Sequence, residues 1–282
     1  WAFISHKMAE LFGFKDPLEV LNPISSEMVV MRQSAIPSLF NAYILNAARS
    51  VINQNIFEVA CMFDKANPHN LNRTVSGLRV GATSHKTHLK EERNFDFYDV
   101  KADVFALVSL YGLDPEKLQI KAEAPSYYHP GQSCSLYLGK TLVAVCGMIH
   151  PLVLTELKDV ERSAAAFEFY YDNLPAQRLK NAKAKLVLSN FQKVERDFAF
   201  VMNDNVSASE LTNLIKGIDK NLIESVDIFD VYYGKNIEAG KKSVAFNVKI
   251  QPADKTLSDE EINTISKKIV DEVTLRFSAT LR

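Results

Sequence analysis

Two four-residue signals in the last third of the chain, Ser207-Ala-Ser-Glu210 and Ser258-Asp-Glu-Glu261, constrain the fold more than any other feature. In each, a serine hydroxyl can accept from the third backbone N–H of a new helix while the glutamate returns to the serine's own N–H. Each therefore marks where a helix starts. ERDFAFVM (Glu195–Met202) precedes the first signal, and SVDIFDVYY (Ser225–Tyr233) and KSVAFNVKI (Lys242–Ile250) lie between the two. After the second come Ile262, Ile265, Ile269 and Val273, one face of a helix, and SATLR can close as a strand. The order β-α-β-β-α-β predicts a ferredoxin-like unit, with both helices on one face of a four-stranded sheet. Alternation turns Val244, Phe246, Val248 and Ile250 towards the helices and leaves Ala245, Asn247 and Lys249 on the open face. Phe198, Phe200, Phe229 and Phe246 read as core side chains at strand spacing.

The preceding residues alternate strand and helix signals. PSLFNAYILNAARSV (Pro37–Val51) predicts a helix with an apolar stripe through Leu39, Phe40, Tyr43, Ile44, Ala47, Ala48 and Val51. IFEVACMF (Ile56–Phe63) reads as a strand, NPHNLNR (Asn67–Arg73) as a loop and LRVGATS (Leu78–Ser84) as a second strand. A helical period resumes over Asp99–Tyr111 through Val100, Val104, Leu107 and Tyr111. YYHPGQSCSLYLGKTLVAVCGMIHP (Tyr127–Pro151) reads as a β-hairpin turning near Leu138-Gly139-Lys140-Thr141. A short helix from Pro151 to Leu157 and a strand at AAAFEFYY (Ala164–Tyr171) follow. Such a mixture predicts an α+β domain built on an antiparallel sheet. QRLKNAKAKL (Gln177–Leu186) carries Arg178, Lys180, Lys183 and Lys185 without an acid, and reads as a solvated linker or a phosphate-touching arm. The expected organisation is a first domain over 1–175, a basic linker over 176–190 and a second domain over 191–282.

Charge excludes a long-range pull on nucleic acid or membrane, since 33 Lys/Arg face 34 Asp/Glu. The region Phe191–Arg282 holds 13 basic and 15 acidic residues, so any RNA contact there must rest on a few aligned donors and stacking. The three cysteines form no CxxC pair and read as buried reduced thiols of a cytosolic protein. The apolar run Leu142–Ile149 falls far short of the roughly 20 residues that span a bilayer. Trp stands at position 1 with no signal segment after it, as in a portion of a longer polypeptide. There is no phosphate-binding glycine loop, GxSxG or HExxH. His85 and His88 lack further ligands at zinc spacing, and Glu91-Glu92 reads as solvated. His129 and His150 each precede a proline near the outer ends of the hairpin, where they can share a site or serve as turn residues.

At NPISSEMVVMRQSAIPSLFNAYILNAAR (Asn22–Arg49) the chain closely resembles the β chain of bacterial-type phenylalanyl-tRNA synthetase. Four further stretches agree in order: IFEVACMF; FDFYDVKADVFALV; the hairpin with its following PLVL; and VERDFAFVM with IFDVYYGKNIEAGKKSVAFNVKI and TLSDEEIN. The resemblance covers nearly the whole chain. It implies a class II synthetase-like antiparallel sheet domain that performs no aminoacylation, followed by a ferredoxin-like anticodon-binding domain. A working class II core holds triphosphate with arginines, each worth several kcal/mol in a water-excluded site. Ile56–Phe63 has none, Ala60-Cys61 replaces a Gly-Arg common in the family, and Asp172-Asn173 replace a Glu-Arg of the catalytic chain. No residue here is expected to be catalytic or to ligate a metal; ATP and magnesium serve the whole enzyme.

The resemblance further implies a cytoplasmic heterotetramer of two α and two β subunits that binds tRNA(Phe). Leu39, Tyr43 and Ala47 are expected to dock the catalytic α subunit, unless that stripe faces its own sheet. Arg196, Tyr232, Lys241, Lys242 and Arg282 are expected to contact the tRNA, Arg196 having the alternative of an internal carboxylate partner. Two other readings stand beside this one: an active adenylate-forming domain with displaced ATP ligands, and an assembly module without RNA contact.

Overall fold

A computed structural model of the chain describes residues 1–66, 72–84, 87–89, 91–157, 160, 163–176, 189–252 and 255–282. Two compact units emerge, Trp1–Leu179 and Lys180–Arg282. Most of the predicted basic linker, including Arg178, Lys180, Lys183 and Lys185, lies outside the described residues, as does His85.

The first unit contains β1 (Phe3–Ile4), α1 (His6–Leu11), β2 (Val30–Met31), α2 (Ile36–Ala47), β3 (Gln54–Met62), β4 (Asn72–Val80), α3 (Phe97–Leu110), β5 (Gln119–Lys121), β6 (Tyr128–Leu138), β7 (Thr141–Ile149), α4 (Pro151–Glu156) and β8 (Ala164–Phe169). Six of these strands form one antiparallel sheet in the order β3-β4-β8-β7-β6-β5. All six residues of β8 are buried, because apolar layers cover both faces of this central strand. One layer packs Phe12, Ile36, Phe40 and Tyr43 with Leu78, Val145, Ala164 and Ala166. The other packs Val100, Val104 and Val108 of α3 with Leu136, Cys146, Ala165, Phe167 and Phe169. Gly77, opposite Phe167 in the register, admits that ring: a Cβ there would lie 2.2 Å from Phe167 Cε1.

Several boundaries differ from the sequence reading, three of them for identifiable local reasons. Helix α2 stops at Ala47 rather than Val51, because Ser50 takes a left-handed φ of 66° and the buried Gln54 amide donates to the Tyr43 and Val51 carbonyls. Strand β4 begins at Asn72 rather than Leu78, through polar residues whose backbone pairs with Met62–Val59. Helix α3 starts two residues early, capped by Asp96, with Asp99 closing the box usually made by Glu or Gln. The hairpin turn is as expected, with Gly139 at φ 62°.

The second unit contains β9 (Val194–Asn203), α5 (Ala208–Ile218), β10 (Ile223–Tyr232), β11 (Lys241–Ile250), α6 (Asp259–Phe277) and β12 (Thr280–Leu281). Its antiparallel sheet runs β10-β11-β9-β12, the ferredoxin-like order. Both capping boxes form: Glu210 N–H donates to Ser207 Oγ at 3.2 Å and Glu261 N–H to Ser258 Oγ at 3.3 Å, with each carboxylate returned to its serine N–H. Val244, Phe246, Val248 and Ile250 are buried against the helix side, as alternation requires. Phe229 corrects the core reading. It falls at a register shift between Ile228 and Asp230 and is 62% exposed. A bulge inserts one residue and rotates its neighbours, so spacing alone misplaces that ring.

Candidate functional site

The α2-side face of the first sheet, which could have held a ligand, is filled. Glu168 on β8 is 1% exposed and accepts from Tyr127 Oη at 2.6 Å and Tyr128 Oη at 3.5 Å, with Ser34 a further hydrogen-bond partner. Burial pushes its carboxyl above the ordinary glutamate range, although the three hydroxyls pull the other way. Burial, then the Glu168 charge, drives both tyrosines well up. An acid whose folded pKa is raised contributes stability that is complete below its unfolded value and lost as pH rises through its folded value. Stability is therefore expected to decline upward from the ordinary glutamate value of about 4.3 on account of Glu168. Glu168→Gln should remove that decline, read as unfolding midpoints at about pH 4 and about pH 8; the parent's pH dependence persisting in the variant would contradict this.

Every arginine on the strands of this sheet is neutralised internally. Arg73 on β4 makes a paired contact with Asp172, Nη2 to Oδ1 at 2.7 Å and Nε to Oδ2 at 3.1 Å, and lies over Tyr171 at 4.6 Å. The Arg73 guanidinium holds the Asp172 carboxyl below the usual range. Arg79 clasps Asp103 at 2.6 and 2.7 Å. Buried Arg32, just before α2, clasps Glu58 at 2.8 and 3.1 Å and also reaches Ser38 Oγ and the Trp1 carbonyl. A cleft of about 440 Å³ is lined by Arg73, Asp172, Asn173, Asp64, Tyr170 and neighbours. There Asn173 Nδ2 donates to the Leu142 carbonyl at 2.9 Å. Among the described residues no group of three His, Cys, Asp or Glu could hold a metal ion.

His129 and His150 do meet, their rings 6.4 Å apart. Each Nδ1, however, accepts a backbone N–H, from Gly131 at 3.1 Å and Leu152 at 3.2 Å, and His150 caps α4. They serve as turn residues. The expected docking stripe is turned inward: Leu39 is 5% and Tyr43 2% exposed in the unit's own core, and Ala47 is half-buried. The large apolar side chain that α2 shows to solvent is Leu45.

The open face of the second sheet has a different character. Tyr232 pairs with Ser243 across β10 and β11, and the Arg282 guanidinium lies 6.0 Å from the Tyr232 ring while donating to Ser243 Oγ at 3.4 Å. Arg282 is positioned by its backbone N–H, which bonds the Ala199 carbonyl of β9 at 2.9 Å. Beneath the ring, a Cβ at Gly234 would lie 2.7 Å from Tyr232 Oη, so glycine permits that close approach. Asp230 pairs with open-face Ala245 and so shares Tyr232's face. Lys241 lies on the same face with its ammonium 2.8 Å from Glu238. At the opposite end of the face Lys249 holds Asp227 at 3.0 Å and Asn247 holds Asp197 at 2.6 Å.

Two of the five expected contact residues are elsewhere. Lys242 pairs with helix-side Met202 and donates to the Asp204 and Val206 carbonyls at 2.9 and 2.7 Å, closing the loop before α5. Its partial burial pulls the ammonium pKa down. Arg196 pairs with helix-side Val248, and its guanidinium reaches the Glu195 carbonyl at 3.2 Å rather than a carboxylate. Ser243, which bridges Tyr232 and Arg282, was not singled out in the sequence, because a serine after two lysines carries no signature.

Residues 1–171 match the family described as "Phenylalanyl tRNA synthetase beta chain CLM domain", and residues 189–282 match "Ferredoxin-fold anticodon binding domain". The chain belongs to the phenylalanyl-tRNA synthetase β-chain family. It is 41% identical to the phenylalanine–tRNA ligase β subunit of Rhodospirillum rubrum, 40% to that of Paramagnetospirillum magneticum and 38% to that of Bartonella henselae. Each alignment covers 100% of this chain and 36% of the relative. The chain thus spans about a third of the length of those relatives.

Proposed function

We propose that the chain acts within a cytoplasmic phenylalanine–tRNA ligase as a non-catalytic part of the β subunit, holding tRNA(Phe) by its second unit. The first unit is a class II synthetase-like sheet domain that scaffolds the catalytic α subunit in a heterotetramer. The observation that carries this reading is the placement of Arg282 beside Tyr232 on the open face of a sheet in an anticodon-binding family. A ring that is 39% exposed beside a guanidinium offers an unpaired base a stacking surface and its phosphate a cation. Lys241 stands on the same face, paired with Glu238, whereas Lys242 closes the loop before α5 and Arg196 lies on the helix side of the sheet.

The first unit's residues do not fit a triphosphate. Arg73 and Arg79 are each held by an aspartate, so ATP would have to displace a charge-assisted pair to gain a cation. No step of adenylate chemistry is therefore assigned to this chain, and ATP and magnesium belong to the rest of the ligase.

Anisotropy titrations of tRNA(Phe) onto the chain test the RNA assignment. Tyr232→Ala should weaken binding by about 1–3 kcal/mol, roughly fivefold to 150-fold. Arg282→Ala should weaken it and lower the salt slope by about 0.7, the value for one phosphate contact on a single strand. Lys242→Ala should leave the slope unchanged. Unaltered affinity in both Tyr232→Ala and Arg282→Ala would favour the assembly module without RNA contact.

A further inference from the structure

Cys134 on β6 and Cys146 on β7 are direct partners in the antiparallel ladder. Both lie in the α3-side core, 3% and 0% exposed, with their sulfurs 3.7 Å apart. Directly opposed residues in such a ladder have Cα atoms about 4.5–5.5 Å apart, inside the roughly 4.4–6.8 Å window of disulfides. Rotation of the two side chains is therefore enough to bring the sulfurs to bonding distance. The third cysteine, half-buried Cys61, stands on β3 opposite Arg73 and has no thiol across the ladder.

The surroundings divide the roles of the two sulfurs. The hydrogen bond between them holds Cys134 below the ordinary thiol range and pushes Cys146 up, burial adding to the rise at Cys146. Lys101 on α3, its ammonium 5.3 Å from the Phe105 ring, favours the thiolate at both positions. Cys134 is also marginally the more accessible, 3% exposed against none at Cys146.

We propose that Cys134 and Cys146 form a peroxide-oxidisable dithiol that closes into a disulfide across the β6–β7 hairpin. The Cys134 thiolate attacks one peroxide oxygen, the O–O bond breaks, and hydroxide leaves as water after taking a proton. The sulfenic acid at Cys134 is then attacked by the Cys146 sulfur; the S–O bond breaks and a second water departs. Two thiols and one hydrogen peroxide give one disulfide and two waters, the sulfurs losing two electrons and the peroxide gaining them.

Graded hydrogen peroxide applied to the folded chain, followed by thiol titration in denaturant and mass spectrometry, tests this. The thiol count should fall from three to one, with a loss of about 2 Da and a cross-linked peptide joining positions 134 and 146. Cys61→Ser should keep the mass loss, and Cys134→Ser or Cys146→Ser should abolish it. Three surviving thiols, oxygen added to a cysteine without a cross-link, a bond involving Cys61, or a bond that forms only in denaturant would each overturn the proposal.

Discussion

Replacing Phe246 with alanine should remove a large share of the stability of the second unit. The ring is fully buried on β11 and stacks on Phe198 and Phe200, with centroids 5.7 and 5.9 Å away. Truncating a buried phenylalanine costs about 3–5 kcal/mol, against a typical total of about 5–15 kcal/mol for a domain. At about 1.4 kcal/mol per tenfold, hydrogen-exchange protection of the β9 and β11 amides should fall by roughly a hundredfold to several thousandfold. RNA binding should fall with it, because Tyr232, Ser243 and Arg282 meet only through the pairing of β10, β11, β9 and β12. Protection unchanged in the variant would show that this aromatic stack is not the centre of the unit's core.

The second large effect is expected at Glu58. Its carboxylate takes two hydrogen bonds from Arg32, whose side chain is only 5% exposed. Glu58→Ala strands a buried guanidinium with Ser38 Oγ and the Trp1 carbonyl as its remaining partners. Breaking a buried pair from one side costs about 3–5 kcal/mol, because the orphaned charge keeps its desolvation penalty. Replacing both members by apolar residues of similar volume removes that penalty, so Arg32→Met with Glu58→Leu should recover most of the loss. Denaturant midpoints of the parent, of Glu58→Ala and of the double variant measure this. A double variant no more stable than Glu58→Ala would mean that the pair holds the α2–β3 junction by geometry rather than by charge.

Much of the second unit was legible because its signals are local. A capping box works within four residues and alternation within one strand, so helix starts and buried faces follow from short stretches. What escaped depends on register. The bulge that expels Phe229 arises where β10 gains a residue on β11, which no single strand reveals. Lys241 and Lys242 are chemically equal neighbours, yet they point to opposite faces because strand side chains alternate. Lys242 shares the parity of helix-side Val244, and its pairing with Met202 places it there.

The first unit was harder for a related reason. Asn72-Arg73-Thr74 lacks the apolar alternation of a strand, since its polar side chains find partners within the fold. Arg73 meets Asp172 across 99 positions and Thr74 bonds Ser76 in the buried layer. The absence of arginine from Ile56–Phe63 and the aspartate at position 172 were visible in the sequence. That the aspartate captures a neighbouring arginine could be seen only once β4 and the turn after β8 lay side by side. Glu168 was a lone acid in AAAFEF, a pattern that asks for buried partners without naming them; Tyr127 and Tyr128 supply the hydroxyls.

Phenylalanine-dependent ATP–pyrophosphate exchange by this chain alone addresses the core assignment most directly. With the strand arginines already clasped by aspartates, no exchange above the protein-free background is expected. Exchange that is robust with the chain and abolished by Arg73→Ala would contradict it, placing a working triphosphate site where the pairing with Asp172 predicts none.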